Sequence, residues 1–144
     1  MNRFFNFYRK GSIRKNEIAL TFDDGPSKET EKVLDLLKKF NAKATFFIWG
    51  QKIKWRERII KRILREGHEI GNHTHSHKWL IFKSYNFTKK EIVSCDIDLE
   101  KVGVQTNLFR FPAFKWGLIS FIACLKLNKK VIFCDVVSND WVRP

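Results

Sequence analysis

Two short runs hold the residue types that bind and activate a divalent ion. Asp23-Asp24 ends the apolar run Ala19-Leu20-Thr21-Phe22, and His73 and His77 end another well downstream. An Asp from one segment and two imidazoles from a second make a facial N,N,O set, which leaves a coordination position for water. Three protein ligands can therefore activate a nucleophile, where four would only hold structure. His73 and His77 stand four apart, so one helical turn would project both rings to the same side. The two adjacent carboxylates divide the work: one ligates, and its neighbour takes a proton from the bound water as general base. Zinc is the first expectation for a single divalent ion, while cobalt, nickel, iron and manganese suit the same donors.

Other polar residues near these runs have narrower readings. Gly25-Pro26 gives the sharp exit that lets both Asp side chains face the site. His75 lies two positions from each imidazole ligand and is expected to point away. His68 follows Gly67 at a junction between helix and strand and is read as structural. Arg110 ends a strand, where it either holds a catalytic carboxylate ionised through a bidentate pair or faces solvent. Trp141 after Asp140 is either an apolar wall for a substrate methyl group or a core anchor.

The elements that must position these residues alternate. Apolar runs at 17–22, 44–49, 68–72, 108–111 and 130–137 read as five strands, the second apolar throughout as a strand buried on both faces should be. Helical patterns follow Ser27, run from Ile53 to Arg65 before Gly67, start at a capping box Thr88-Lys89-Lys90-Glu91 and reach about Val102, and run from Trp116 to Leu127. Alternation of this kind implies an α/β fold of parallel strands whose chemistry gathers at the carboxyl ends. Five strands are too few to close a barrel of the usual eight, so the sheet is open or incomplete.

The 144 residues carry 44% apolar residues, with no low-complexity linker, and read as a single domain over 1–144. Lys and Arg number 28 against 15 Asp and Glu; the net charge of +13 favours an anionic partner. The basic residues spread over helix faces instead of interleaving with aromatics in a groove, so no nucleic acid is expected. Cys95, Cys124 and Cys134 are isolated and read as free thiols. No apolar run reaches the length of a membrane span and no export signal is seen, which points to a cytoplasmic protein or one peripheral on a membrane. The aromatic and basic residues 1–10 offer an interfacial segment for an anionic membrane, or a plain edge segment packed on the core.

Over about residues 15–141 the chain resembles the polysaccharide deacetylase family, the NodB homology domain of carbohydrate esterase family 4. Thr21-Phe22-Asp23-Asp24-Gly25-Pro26 is similar to its first motif, and Gly67 through His77 to its second. The resemblance implies a distorted, incomplete (β/α) barrel of parallel strands and removal of N-acetyl groups from an N-acetylhexosamine glycan, peptidoglycan-like or chitin-like. By the same resemblance Asp24, His73 and His77 hold the metal, metal-bound water is the nucleophile and Asp23 is the general base. Phe109-Arg110-Phe111-Pro112 resembles the third motif, in which Arg110 braces the base and the backbone N–H of Ala113 faces the oxyanion. Asp135 through Trp141 resembles the fourth, giving Asp140 an ordering role and Trp141 the acetate pocket. The family's Leu-x-His, expected after residue 141, does not occur in the 144 residues, which implies a domain truncated at its C-terminus. An open edge there favours oligomerisation. The alternative expectation is a catalytically impaired, metal-containing glycan-binding module.

Overall fold

The computed structural model describes residues 7–9, 17–139 and 142. Its strands are β1 (Phe7–Tyr8), β2 (Leu20–Gly25), β3 (Ala44–Ile48), β4 (Glu69–Asn72), β5 (Leu108–Phe109) and β6 (Lys130–Ile132). They form one sheet in the order β1-β6-β5-β4-β3-β2, with every neighbouring pair parallel. Parallel neighbours need a crossover, and helices supply it. These are α1 (Lys28–Lys39), α2 (Glu57–Arg65), α3 (Tyr85–Lys101) and α4 (Leu118–Lys126). The sheet is open among the described residues, with β1 and β2 at its edges, as the incomplete barrel requires. No helix among them is long and apolar enough to cross a membrane.

Several boundaries depart from the sequence reading for local reasons. A sixth strand exists because Phe7-Tyr8 pairs with Val131-Ile132, and the Phe7 ring meets Phe121 and Phe133 edge-on at 6.5 and 6.3 Å. Phe7–Arg9 is thus the edge segment, while residues 1–6 and 10 lie outside the described residues. Helix α3 begins one turn earlier than the expected box: the Ser84 hydroxyl accepts from Phe87 N–H at 3.2 Å, and Thr88 is buried within the helix. Glu91 is drawn elsewhere, to the loop that carries the histidines. The expected helix from Ile53 splits at Arg56 into a 3-10 turn, Gly50–Trp55, and α2. Strand β6 stops at Ile132, well short of Val137.

Two apolar clusters hold the layers together. One joins Leu34 and Leu37 of α1 and Ile59, Ile60 and Ile63 of α2 to Phe46, Ile48 and Ile70 on the sheet. The other joins Ile92, Cys124 and Leu80 to Phe109, Phe111 and Val131. The cysteines are free, and burial pushes the Cys124 thiol up to about 12. At the amino end of the strands a cavity of about 830 Å³ opens between β4, α3, β5 and β6. There the Lys129 ammonium donates to Asp96 Oδ1 at 2.7 Å and to the Thr106 carbonyl at 2.9 Å.

Candidate metal centre at the carboxyl end of the sheet

Successive side chains of a regular strand point to opposite faces, so two adjacent carboxylates should not share a site. Strand β2 solves this with a bulge. Phe22 pairs with Phe46 and Gly25 with Ile48, so three steps on β2 oppose two on β3, and Asp24 takes φ +62°. The expected exit at Gly25-Pro26 follows this bulge, which begins the change of direction before the turn is reached. Asp24 Oδ1 then lies 2.7 Å from His77 Nε2 and 3.5 Å from His73 Nε2. The His73 and His77 imidazoles beside it hold the Asp24 carboxyl well below the usual carboxylate range, against the opposing effect of burial.

The histidines meet through a loop, which corrects the helical-turn expectation. Thr74 and His77 both have positive φ, at 68° and 57°, and such a path cannot continue a helix. Its shape is fixed from beneath. Buried Asn72 donates to the Ile92 carbonyl and to Asp96 Oδ1, both at 2.8 Å, while its own oxygen accepts from Thr74 N–H at 2.8 Å. Glu91 accepts from Ser76 N–H and from the Ser76 hydroxyl, each at 2.8 Å. His75 points away from the cluster as expected, with Nδ1 3.0 Å from Asp98 Oδ2 on α3. His68 is structural: it is buried, and its Nδ1 accepts from Ala44 N–H at 3.3 Å.

Arg110 reaches across to the base. Its Nη1 donates to Asp23 Oδ1 and to the Thr21 hydroxyl, both at 2.8 Å, and Nε donates to the Ile132 carbonyl at 3.1 Å. The contact to Asp23 is single, where a bidentate pair was expected, because the fork is shared among three acceptors on β2 and β6. The guanidinium lies 4.1 Å from the centroid of Phe47, whose ring crosses Gly71 so closely that a Cβ there would meet it at 2.4 Å. Nη2 of Arg110 is buried without a partner among the described residues. Ala113 is the second residue of a 3-10 turn, Pro112–Phe114, so its N–H has no partner within the turn. Asp140 and Trp141 lie outside the described residues.

Sequence reasoning missed Trp49 and Lys52. Trp49 stacks on His77 at 4.8 Å, and Lys52 covers the same indole at 4.3 Å while donating to the Asp24 carbonyl at 2.8 Å. The position of Trp49 just past β3, level with the other site residues, was the available signal; nothing marked Lys52.

The donor set fits a divalent ion. His73 Nδ1 lies 2.9 Å from the Arg110 carbonyl, which can only accept, so Nδ1 carries the ring proton and Nε2 presents a lone pair. One ligand atom each from Asp24, His73 and His77 lies within 4.8 Å of the others, close enough to share one ion. Carboxylate and imidazole suit zinc and its neighbours in the first transition row. Among the described residues nine non-glycine positions take positive φ, and five of them lie at this end of the sheet: Asp24, Thr74, His77, Ala113 and Phe114. Non-glycine residues in this conformation carry backbone strain on the order of 1–3 kcal/mol each, and they cluster here around the ligand atoms.

Known proteins carry the same framework. A sequence model described as polysaccharide deacetylase matches residues 10–120. A peptidoglycan-N-acetylglucosamine deacetylase of Bacillus cereus is 42% identical over 146 residues, covering 95% of this chain and 67% of that protein. Among solved structures, the Bc1960 peptidoglycan N-acetylglucosamine deacetylase has a TM-score of 0.85 at 34% identity, covering 90% of this chain and 61% of the other. A family 4 acetyl xylan esterase from Clostridium thermocellum, in complex with a cobalt ion, has a TM-score of 0.74 at 35% identity over 86% of this chain and 60% of the other. Against a further curated relative the chain spans only 26% of the length. With its motifs assembled at one end of a parallel sheet and that match over most of its length, this chain belongs to the polysaccharide deacetylase family.

Proposed function

We propose that the chain removes N-acetyl groups from an N-acetylhexosamine glycan of peptidoglycan type, with one divalent ion held by Asp24, His73 and His77. The observation that carries this reading is the bulge that sets an unligated Asp23, tied to Arg110, beside that ligand cluster. A divalent ion in this position supplies Lewis acidity and brings the pKa of a water toward neutrality. Asp23 takes the proton from the attacking water, and Arg110 fixes the carboxylate that receives it. The Ala113 N–H donates to the oxygen of the acetyl carbonyl as charge develops there. Asp140 is assigned an ordering role by its place in the fourth motif, and the buried Nη2 of Arg110, which has no partner among the described residues, leaves a donor for such a carboxylate to take. Trp141 is assigned to the wall of the acetate pocket. The relatives' action on peptidoglycan supports the choice of polymer.

Acetate release from N-acetylglucosamine oligomers, followed with the zinc- or cobalt-loaded chain, tests the reading. Chelation should abolish release and readdition should restore it. Asp23→Asn should keep the metal while release falls about 10²- to 10⁴-fold. An Asp23→Asn protein that releases acetate at the original rate would remove Asp23 as the base. A chain that holds metal and binds oligomers without releasing acetate would be the glycan-binding module instead.

A further inference from the structure

Beside the metal centre runs a loop whose composition the reaction does not require. His77 is followed by Lys78-Trp79-Leu80-Ile81-Phe82-Lys83, and a groove of about 530 Å³ is lined by all of these except Leu80, together with His77 itself. Two of its walls are large aromatic side chains left in water: Trp79 is 57% exposed and Phe82 95% exposed. Phe82 takes φ +60°, a conformation that a bulky aromatic residue rarely adopts. Leu80 between them is fully buried, and its N–H donates to the Lys115 carbonyl at 3.2 Å, so the loop is pinned while its aromatic rings are presented outward. The groove's lining contains two lysines and no acidic residue.

We infer that this groove binds a neighbouring sugar of the glycan that bears an ionised carboxylate, with Trp79 and Phe82 against the pyranose face and Lys78 and Lys83 paired to the carboxylate. The inference rests on the glycan reading above and narrows its substrate to an acidic polymer. Exposed aromatic faces beside polar groups are the composition of a recognition surface, and a strained Phe82 held in solvent has no packing role to explain it. Two lysines unopposed by any acid in the groove select an anion. His77 belongs both to the groove and to the ligand cluster, so an occupant lies against the reacting sugar. That continuity favours a glycan over an anionic lipid surface, which the same residue types could also meet.

Titration calorimetry with the metal-loaded full chain tests this. The probes are an alternating N-acetylglucosamine and N-acetylmuramic acid oligomer with free lactyl carboxylates, the same oligomer with those carboxylates amidated, and a neutral N-acetylglucosamine oligomer. The carboxylate form should bind about 3- to 10-fold more tightly than the amidated form at low salt, with the gap closing as salt rises. K78Q/K83Q should erase that gap, and W79A/F82A should weaken all three oligomers, with metal content unchanged in both variants. Equal affinity for the carboxylate and amidated forms, or a gap that survives K78Q/K83Q, would overturn the groove assignment. Binding to phosphatidylglycerol vesicles that Trp79→Ala abolishes, with oligomer affinities untouched, would overturn it in favour of a membrane. Acetate release separates the two proposals: release without carboxylate preference sinks only the groove, and carboxylate preference without release sinks only the deacetylase reading.

Discussion

The two ends of the sheet spend their polar groups differently. At the amino end lies the larger cavity, yet its buried ammonium is paired: Lys129 donates to Asp96 and to the Thr106 carbonyl. The carboxyl end is open, and there Asp24 remains 56% exposed, Arg110 Nη2 has no partner among the described residues, and five described residues take positive φ. Closed polar pairs stabilise, whereas open ones leave capacity for a ligand. Convergence of ligand atoms from Asp24, His73 and His77 beside Asp23, and not the depth of a hollow, therefore marks the chemistry.

Breaking the carboxyl end should remove metal without unfolding the chain. Asp24→Ala and His77→Ala should each weaken zinc or cobalt binding by about 10²- to 10³-fold, read by equilibrium dialysis against a competing chelator. The metal-free thermal midpoint should fall only modestly, because Asp24 is half exposed and solvent screens what its contacts with His73 and His77 contribute. Retention of the ion by both variants would mean that the cluster is not the binding site.

Breaking the amino end should do the reverse. Lys129→Met deprives Asp96 of its partner in a setting where Lys129 is 6% and Asp96 25% exposed, and should cost about 2–4 kcal/mol in urea unfolding. Metal affinity should survive, since Asp96 still accepts from Asn72 and Asn72 still orders Thr74. A variant as stable as the parent would show that the pair is not the closed element described above.

Gly71→Ala sharpens the comparison, for it acts between the two ends. A Cβ at this position would lie 2.4 Å from the Phe47 ring, on which the Arg110 guanidinium rests. Relief of the clash should cost about 1–3 kcal/mol and shift the ring, so acetate release should fall more than metal content does. Equal losses in both would place the effect on the histidine loop instead.

How much of this was legible in the sequence differs by kind of residue. His73, His77 and the pair Asp23-Asp24 could be named because ligand chemistry restricts the choice of side chain and leaves the pattern visible, while the choice of Asp24 over Asp23 as ligand came from the family resemblance. The means of bringing them together could not. A bulge at Asp24 and positive φ at Thr74 and His77 are backbone solutions available to many residues, so spacing suggested a helical turn that the chain does not make. Strand β3 was clear from its nearly continuous apolar run, whereas the two-residue edge strand Phe7–Tyr8 owes its existence to a partner distant in sequence. Glu91 looked like half of a capping box, a local signal, and was claimed by Ser76 through tertiary structure. Lys52 gave no sign at all, because a long cation reaching a backbone carbonyl leaves no trace in periodicity.

The smallest effect concerns the one imidazole assigned to the framework. His68 lines the amino-end cavity with its Nδ1 accepting from Ala44, and its Nε2 is buried, unpartnered and 4.0 Å from Glu66 Oε2. Burial, aided by the charge of Lys43, lowers its pKa from the ordinary value of 6.5, so the fold holds it neutral. The unfolded chain then binds the proton more readily than the folded one. Stability from this group is complete above about pH 6.5 and is lost as pH falls from there toward the depressed folded value. Urea unfolding should show the parent losing stability between about pH 7 and pH 5 more steeply than His68→Asn, whose side-chain oxygen can still accept from Ala44. Parallel curves would mean that His68 titrates alike in both states, and the amino end would then contribute nothing to the acid sensitivity of the fold.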